Sequence, residues 1–257
     1  MRKFSNRFVD WGYLIWRWVN PAVDPLKLMR AVPRYVGFFR DWTRYARLNG
    51  AEPIRILDTY PYIHDKTAIT AVNSHCFYQD IWAFKKILES RVEYHVDVGS
   101  RVDFVGFLTA VAKVTFIDIR PLIATLENLD SRRGNVLCLP LQDDSIVSVS
   151  CLHVAEHVGL GRYGDALDPL GTKKACSELS RILATNGNLY FSMPVGRPRV
   201  CFNAHRMHSP QQVLEYFGNL HLVEFSGIDD TGNFVKNAPM QDLENSEYAC
   251  GLFQFTK

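Results

Sequence analysis

Short apolar runs that end in Asp or Gly alternate with stretches of helical period, and this alternation restricts the fold more than any other feature of the chain. "EYHVDVG" (93–99) predicts a buried strand closed by Asp97 and Gly99, and "RVDFVGFLTAVA" (101–112) a helix behind it. "KVTFIDI" (113–119) is a second strand, and "NVLCLP" (135–140) and "SIVSVSCL" (145–152) are two more. "TKKACSELSRILA" (172–184) predicts a helix closed by Thr185-Asn186-Gly187 and followed by the strand "NLYFSMP" (188–194). "SPQQVLEYF" (209–217) carries a helix-start signature, with Ser209 as cap, Pro210 at the first position and Gln212 three residues after the cap. "LHLVEFSGI" (220–228) and "CGLFQFTK" (250–257) supply the last strands. Such an order implies an α/β fold, with a mostly parallel seven-stranded sheet, helices on both faces and an antiparallel edge.

Ligands of such sheets collect at the carboxyl ends of the strands, which directs attention to the residues there. Asp97-x-Gly99 sets a carboxylate and a flexible turn before a helix start, suited to an ammonium or hydroxyl and to a carboxylate or phosphate respectively. Asp118 ends the second strand 21 residues later, the spacing of an acidic residue that accepts ribose hydroxyls. The pair points to a nucleoside ligand. A dinucleotide-dependent dehydrogenase is disfavoured, because "VDVGSRVDF" lacks the G-x-G-x-x-G fingerprint.

His153-Val-Ala-Glu156-His157 matches the H-x-x-E-H pattern of a class of zinc peptidases. That chemistry needs the motif on a long helix with a third ligand elsewhere, whereas here a strand precedes it and Gly159 and Gly161 interrupt any helix. The motif therefore belongs to a loop beyond the fourth strand. His153 and His157 are candidate general bases, with Glu156 orienting one of them; packed histidines bonded to backbone are the alternative. No metal is expected. The runner-up is a transition metal held by His153, Glu156 and His157 with His205 or His208. "GLGRYGD" and "PVGRPRVCFNAHRMHSP" bring Arg162, Tyr163, Asp165, Arg197, Arg199, His205 and Arg206, which suit a phosphate, carboxylate or nucleotide-linked sugar, or else form a solvated surface.

Charge divides the chain into a basic, aromatic arm (1–50) and a body (51–257). The arm holds ten Lys/Arg against three Asp, and four of the five tryptophans; the body holds nineteen Lys/Arg against twenty-four Asp/Glu. From Pro33 to Leu48 the arm has helical spacing, with Tyr35, Phe38, Phe39, Trp42, Tyr45 and Ala46 on one face and Arg40, Arg44 and Arg47 opposite. That face either packs on the body or lies in an anionic membrane surface. No nucleic-acid reading motif accompanies the charge. The six cysteines form no CxxC pair, which fits reduced core residues and a reducing compartment. "YLIWRWV" is short, carries Arg17 and lacks a cleavage site, so no secretory signal or membrane span is expected. The expectation is a cytoplasmic protein, with peripheral membrane contact through residues 1–50 as the variant.

"HVDVGS", "VTFIDI", "GNVLCLPLQDDSIVSVSCLHVAEHV" and "ELSRILATNGNLYFSMP", in that order, resemble class I methyltransferases that use S-adenosylmethionine. More narrowly, "HCFYQDIWA", "VDVGSRVDF", "EHVGLGRYGDALDP" and "YACGLFQFTK" resemble a methyltransferase-like family catalogued as a domain of unknown function, with bacterial members in surface-polysaccharide gene clusters. The resemblance covers roughly residues 50–257. It implies a Rossmann-like methyltransferase fold with S-adenosylmethionine as cofactor. Asp97 and Gly99, with Ser100 and Arg101, would hold the methionine end; Asp118 would take the ribose, Asn135 the adenine amino group, and Leu152 and His153 would line the sulfonium. It further implies O-methylation of a sugar or lipid-linked glycan precursor. The alternatives are a repurposed binding protein or another nucleotide-dependent sugar-modifying enzyme. Gly99-Ser100-Arg101 departs from the usual Gly-x-Gly, since a side chain at the second glycine position limits backbone approach to a ligand. Arg101 would then pair with the cofactor carboxylate or repel the sulfonium. The helix between the second and third strands is also short, with only "PLIATLENLDSRRG" between them.

Overall fold

The computed structural model describes residues 25–257, so the tryptophan-rich start of the arm, with Trp11, Trp16 and Trp18, lies outside the described residues. The chain divides into two compact units between Ala71 and Val72. In the first, helix α1 (Pro25–Tyr45) runs through Pro33 instead of starting there. Proline removes one helical N–H but fixes a compatible φ, and the turns on either side carry the helix across. Phe39 stacks on Trp42 with ring centroids 6.1 Å apart, and Phe38 meets Trp42 edge-on at 6.0 Å, so these three rings adjoin one another.

The second unit begins with α2 (Ser74–Ser90), started by the Asn73 side chain accepting from Cys76 N. Then follow β1 (Tyr94–Val98), α3 (Val102–Leu108), β2 (Lys113–Asp118), β3 (Leu129–Arg133) and β4 (Ile146–Leu152). After a 3-10 turn at Ala155–His157 come α4 (Gly171–Ile182), β5 (Leu183–Val195), β6 (Arg199–Cys201) and β7 (His205–Met207). The chain closes with α5 (Pro210–Tyr216), β8 (His221–Ile228), β9 (Phe234–Val235), α6 (Met240–Glu244) and β10 (Ala249–Thr256). The main sheet has the order β3-β2-β1-β4-β5-β10-β8-β9. Strands β1 to β5 pair in parallel, and β10 runs antiparallel between β5 and β8. One face packs α2 and α3 through Trp82, Ile87, Phe104 and Leu108; the other packs α4, α5 and α6 through Leu179, Val213, Phe217 and Leu243. The Ser209–Gln212 capping box that starts α5 is formed in both directions.

Four details depart from the sequence pattern. The main sheet has eight strands, the eighth being the two-residue β9. The third strand is Leu129–Arg133, not 135–140. As the outermost parallel strand it has one neighbour and keeps charged side chains exposed, so it lacks the apolar run of a central strand. "NVLCLP" instead folds into a turn, with Asn135 Oδ1 accepting from Leu137 N at 2.9 Å and Cys138 N donating to Asn135 O at 2.9 Å. Among the described residues no helix joins β2 to β3, because the segment reserved for it contains β3 itself. Finally, β5 begins at Leu183, and Thr185-Asn186-Gly187 lie inside the strand beside a register shift between Ile146 and Ser148.

Candidate active site

The carboxyl edge of β1, β2 and β4 opens onto a cleft that is partly open to solvent. Gly99, Asp118, Asn135, His153, His157, Tyr163 and Asp165 all line it, and a neighbouring cleft adds Ser100, Arg101 and Leu152. Most of the residues selected from sequence are thus brought together.

The turn after β1 needs glycine at its first position. Gly99 has φ +73°, and a Cβ there would lie 3.1 Å from Val154 Cγ1 and 3.5 Å from Asp118 Oδ2. Ser100 does not obstruct the turn. Its side chain is buried toward β4, where Oγ accepts from Leu152 N at 3.0 Å. Arg101 is occupied by carboxylates, 3.0 Å from Asp103 and 3.6 Å from Asp80. This geometry favours neither of the two roles considered for Arg101.

Asp97 is placed differently from expectation: it lines neither cleft. Its fully buried carboxylate accepts Ser100 N at 3.0 Å and the Ser150 hydroxyl. Ser150 in turn meets His95 Nε2 at 2.8 Å, while His95 Nδ1 meets Ser148 at 2.7 Å. Burial pushes the Asp97 pKa up to about 7 against its hydrogen bonds, and pushes that of His95 down to about 3. Asp97 therefore braces the Gly99 turn from behind the sheet edge.

Asp118 faces the cleft, with Oδ1 accepting Arg120 N at 2.6 Å. The Arg120 guanidinium lies 4.3 Å from the centre of the Tyr163 ring and makes a wall with it. Tyr163 thus belongs to the same cleft as Asp118. Asn135 also lines it, but its Oδ1 already closes the turn to Leu137, so a ligand amino group would be a second hydrogen bond to that oxygen.

His153 has φ +55°, an unusual conformation for a residue with a side chain, and donates its N–H to Ser192 O at 3.0 Å. Glu156, fully buried, stands between the two histidines. Its Oε1 is 2.7 Å from His153 Nδ1 and 3.6 Å from His157 Nε2. Burial works against charge on both members of the inner pair. The adjacent Cys250 sulfur and Glu156 carboxylate still hold His153 well above the usual histidine range, and the two histidines hold Glu156 low. Burial also pushes the Cys250 thiol up. His157 Nδ1 donates to Ala204 O at 2.6 Å, and its Nε2 faces Glu156.

The remaining loop residues build structure. Arg162 shares Ala204 O with His157, at 3.1 Å. Burial raises the Asp165 pKa, but the N–H groups of Tyr163, Gly159 and Gly161 overcome this and hold it low. Arg206 is buried and donates to Val158 O, Gly159 O and Asp168 O, so it pins the loop instead of facing a substrate. Arg197 pairs with Glu247, and Arg199 donates to Arg197 O and Glu247 O. His205 packs at a tilt against Tyr248 with ring centroids 5.1 Å apart, while His208 Nδ1 faces the Tyr216 hydroxyl at 3.3 Å. The runner-up metal set therefore does not converge. Instead His75, whose pKa burial and the neighbouring His153 push down to about 4, stacks on His153 at 5.5 Å and on Tyr248 at 4.8 Å, and Cys250 lies beside both histidines. His75, Arg120, Tyr248 and Cys250 were not singled out from sequence.

Residues 142–248 match a protein family described as Caenorhabditis protein of unknown function, DUF268. Similar solved structures include the N-methyltransferase NodS from Bradyrhizobium japonicum WM9 in complex with S-adenosyl-l-homocysteine, at 15% identity and a TM-score of 0.50, over 70% of this chain and 85% of that one. A putative sarcosine dimethylglycine methyltransferase from Galdieria sulphuraria is also similar, at 12% identity and a TM-score of 0.51, over 70% of this chain and 85% of that one. No curated protein matches the chain in sequence. The second unit has the Rossmann-like methyltransferase fold, α/β with a mostly parallel central sheet. Among the described residues, no helix is long and apolar enough to cross a membrane.

Proposed function

We propose that the chain is an S-adenosylmethionine-dependent methyltransferase acting on a hydroxyl, and that the acceptor is a sugar or a glycan precursor. The observation that carries the reading is the Asp118 carboxylate beside the Gly99 turn, in the cleft that His157 also lines. The residues fit the cofactor: glycine at a positive φ permits close backbone approach, and a strand-end carboxylate can accept ribose hydroxyls. Asp118 would hold the ribose and the Gly99–Arg101 turn the methionine end, while Asn135 and Tyr163 would border the adenine.

When bound, the cofactor supplies an electrophilic methyl group on a sulfonium. His157, which lines the cleft, would take the acceptor's hydroxyl proton. His153, held by Glu156, forms part of the cleft wall beside the acceptor. The sugar assignment, and with it a role in surface-polysaccharide synthesis and a lipid-linked acceptor, draws its support from the sequence resemblance. The binding-only alternative was motivated by the Ser100 substitution, which the inward turn of that side chain makes compatible with an open cleft.

The test is calorimetry of the purified chain with S-adenosylmethionine and S-adenosylhomocysteine, followed by transfer of labelled methyl groups to nucleotide sugars and lipid-linked glycans. Micromolar binding and label in a glycan product are expected. A folded chain free of copurified ligand that binds neither nucleoside would overturn the reading. Binding with label only in non-sugar acceptors would overturn the sugar assignment.

A further inference from the structure

Three side chains from distant parts of the chain meet behind the cleft. His75 is the second residue of α2, His153 follows β4 directly, and Cys250 is the second residue of β10. One ring nitrogen of each histidine and the cysteine Sγ all lie within 4.8 Å of one another. The cluster has an unmet demand. His153 Nδ1 is engaged by Glu156, and its buried Nε2 has no hydrogen-bond partner. Leaving a buried polar atom without a partner is costly, so an orphaned one calls for an explanation such as a missing partner. Cys250 Sγ has a long contact of 3.7 Å to Gly251 O and interacts with the His153 ring.

We propose that His75, His153 and Cys250 form a site for a borderline-soft divalent ion, zinc in the first instance, with a fourth coordination position open. Two imidazoles and a thiolate match zinc and exclude magnesium, which takes oxygen ligands. Tetrahedral zinc with bonds of about 2.0–2.3 Å sets its ligand atoms roughly 3.3–3.6 Å apart, so the cluster closes by small side-chain rotations. His75, partly buried on the first helical turn and stacked on His153, would supply part of that movement.

The surroundings are those of a metal centre. Glu156 accepts from His153 Nδ1, so once the ion displaces the proton on Nε2 that nitrogen's lone pair is held toward it, the carboxylate–histidine–metal relay. A dication there meets one thiolate and the buried Glu156 carboxylate, so the set is neutral overall, as a buried charge cluster requires. Access is also present. His75 and Tyr248 line an open cleft with Asp229 and Asp230, whereas His153 lines the cleft of Gly99 and Asp118. The ion would stand in the wall between the two. Of the set considered from sequence, only His153 is shared.

The inference goes beyond methyl transfer, and its readout is the metal. The full chain, stripped with chelator, is titrated with Co2+ and then Zn2+. One equivalent should bind and give a sulfur-to-cobalt charge-transfer band that Zn2+ abolishes. Cys250→Ser should remove the band, and His75→Ala should weaken Co2+ binding at least tenfold, each variant being checked for folding by circular dichroism. Glu156→Gln should weaken binding by roughly 10–100-fold. Cys201→Ser, outside the cluster, should keep the band. Zinc-edge X-ray absorption of the loaded wild type should count one sulfur and two imidazoles, whatever the variants do. A folded wild type that takes up neither ion, a band that survives Cys250→Ser, or a zinc shell without sulfur would each overturn the proposal.

Discussion

Asp118→Asn separates the ligand-binding role of this carboxylate from its local one. In the structure Oδ1 accepts Arg120 N at 2.6 Å, which an asparagine oxygen can do equally well, so the turn after β2 should survive. The second oxygen, on the side of Gly99, becomes an NH2 group. That group has no lone pair for a ribose hydroxyl, and the negative charge is lost with it. A hydrogen bond to a charged group contributes about 1.5–3 kcal/mol, so the dissociation constant for S-adenosylhomocysteine should rise about 10- to 150-fold. Calorimetry gives that constant directly, and an analogue lacking the 2′ hydroxyl completes a double-mutant cycle. The analogue should bind the wild type more weakly and lose most of that penalty against Asp118→Asn. A folded variant whose dissociation constant stays within threefold of the wild type would refute the ribose assignment. Equal penalties for the analogue in both proteins would do the same.

The buried brace behind the turn gives a pH prediction. The folded Asp97 pKa of about 7 lies above the ordinary carboxyl value of 3.8, so the native state binds more protons than the unfolded state between them. The stability this contributes is full below pH 3.8 and lost as pH rises through 7. Asp97→Asn should therefore gain relative to wild type across that window in urea unfolding, and a difference flat with pH would refute the assignment. Arg206→Met, which removes donors to Val158 O, Gly159 O and Asp168 O, should lower stability by about 2–4 kcal/mol. It should leave S-adenosylhomocysteine affinity in the folded variant within threefold; full stability with lost substrate turnover would return Arg206 to the substrate.

How much of this was legible follows from where each element lies in the sheet. Central parallel strands are buried on both faces, so β1, β2 and β4 stand out as apolar runs, and Ser209 and Gln212 announce α5 by a local hydrogen-bond pattern. The edge strand β3 carries Asp130, Arg132 and Arg133 and has no such run. Strand ends were legible as a group but their side-chain directions were not. Asp97 alternates with His95 on β1 and pairs in register with Ser150 of β4, itself two residues from Ser148. Read together, H-x-D and S-x-S across a parallel pair mark a buried polar ladder, and that pattern assigns Asp97 to the sheet interior, away from the ligand.

The cluster around His153 was missed for a topological reason. A search of the residues that end parallel strands finds Asp118 and His153 and stops there. An antiparallel strand in the same sheet, however, begins at the edge where its parallel neighbours end. Ala249 pairs with Val195 and Cys250 with Pro194, at the far end of β5, so the start of β10 belongs to the ligand edge as fully as the end of β4. The same reasoning applies to α2, whose first turn brings His75 onto His153 although 78 residues separate them in sequence. Neither residue has a neighbour in sequence that announces it, because a site assembled from one residue per element leaves no spacing to detect. Once the antiparallel strand is allowed for, "YACG" becomes the segment to inspect, and its cysteine is the one with a buried histidine nitrogen left unsatisfied beside it.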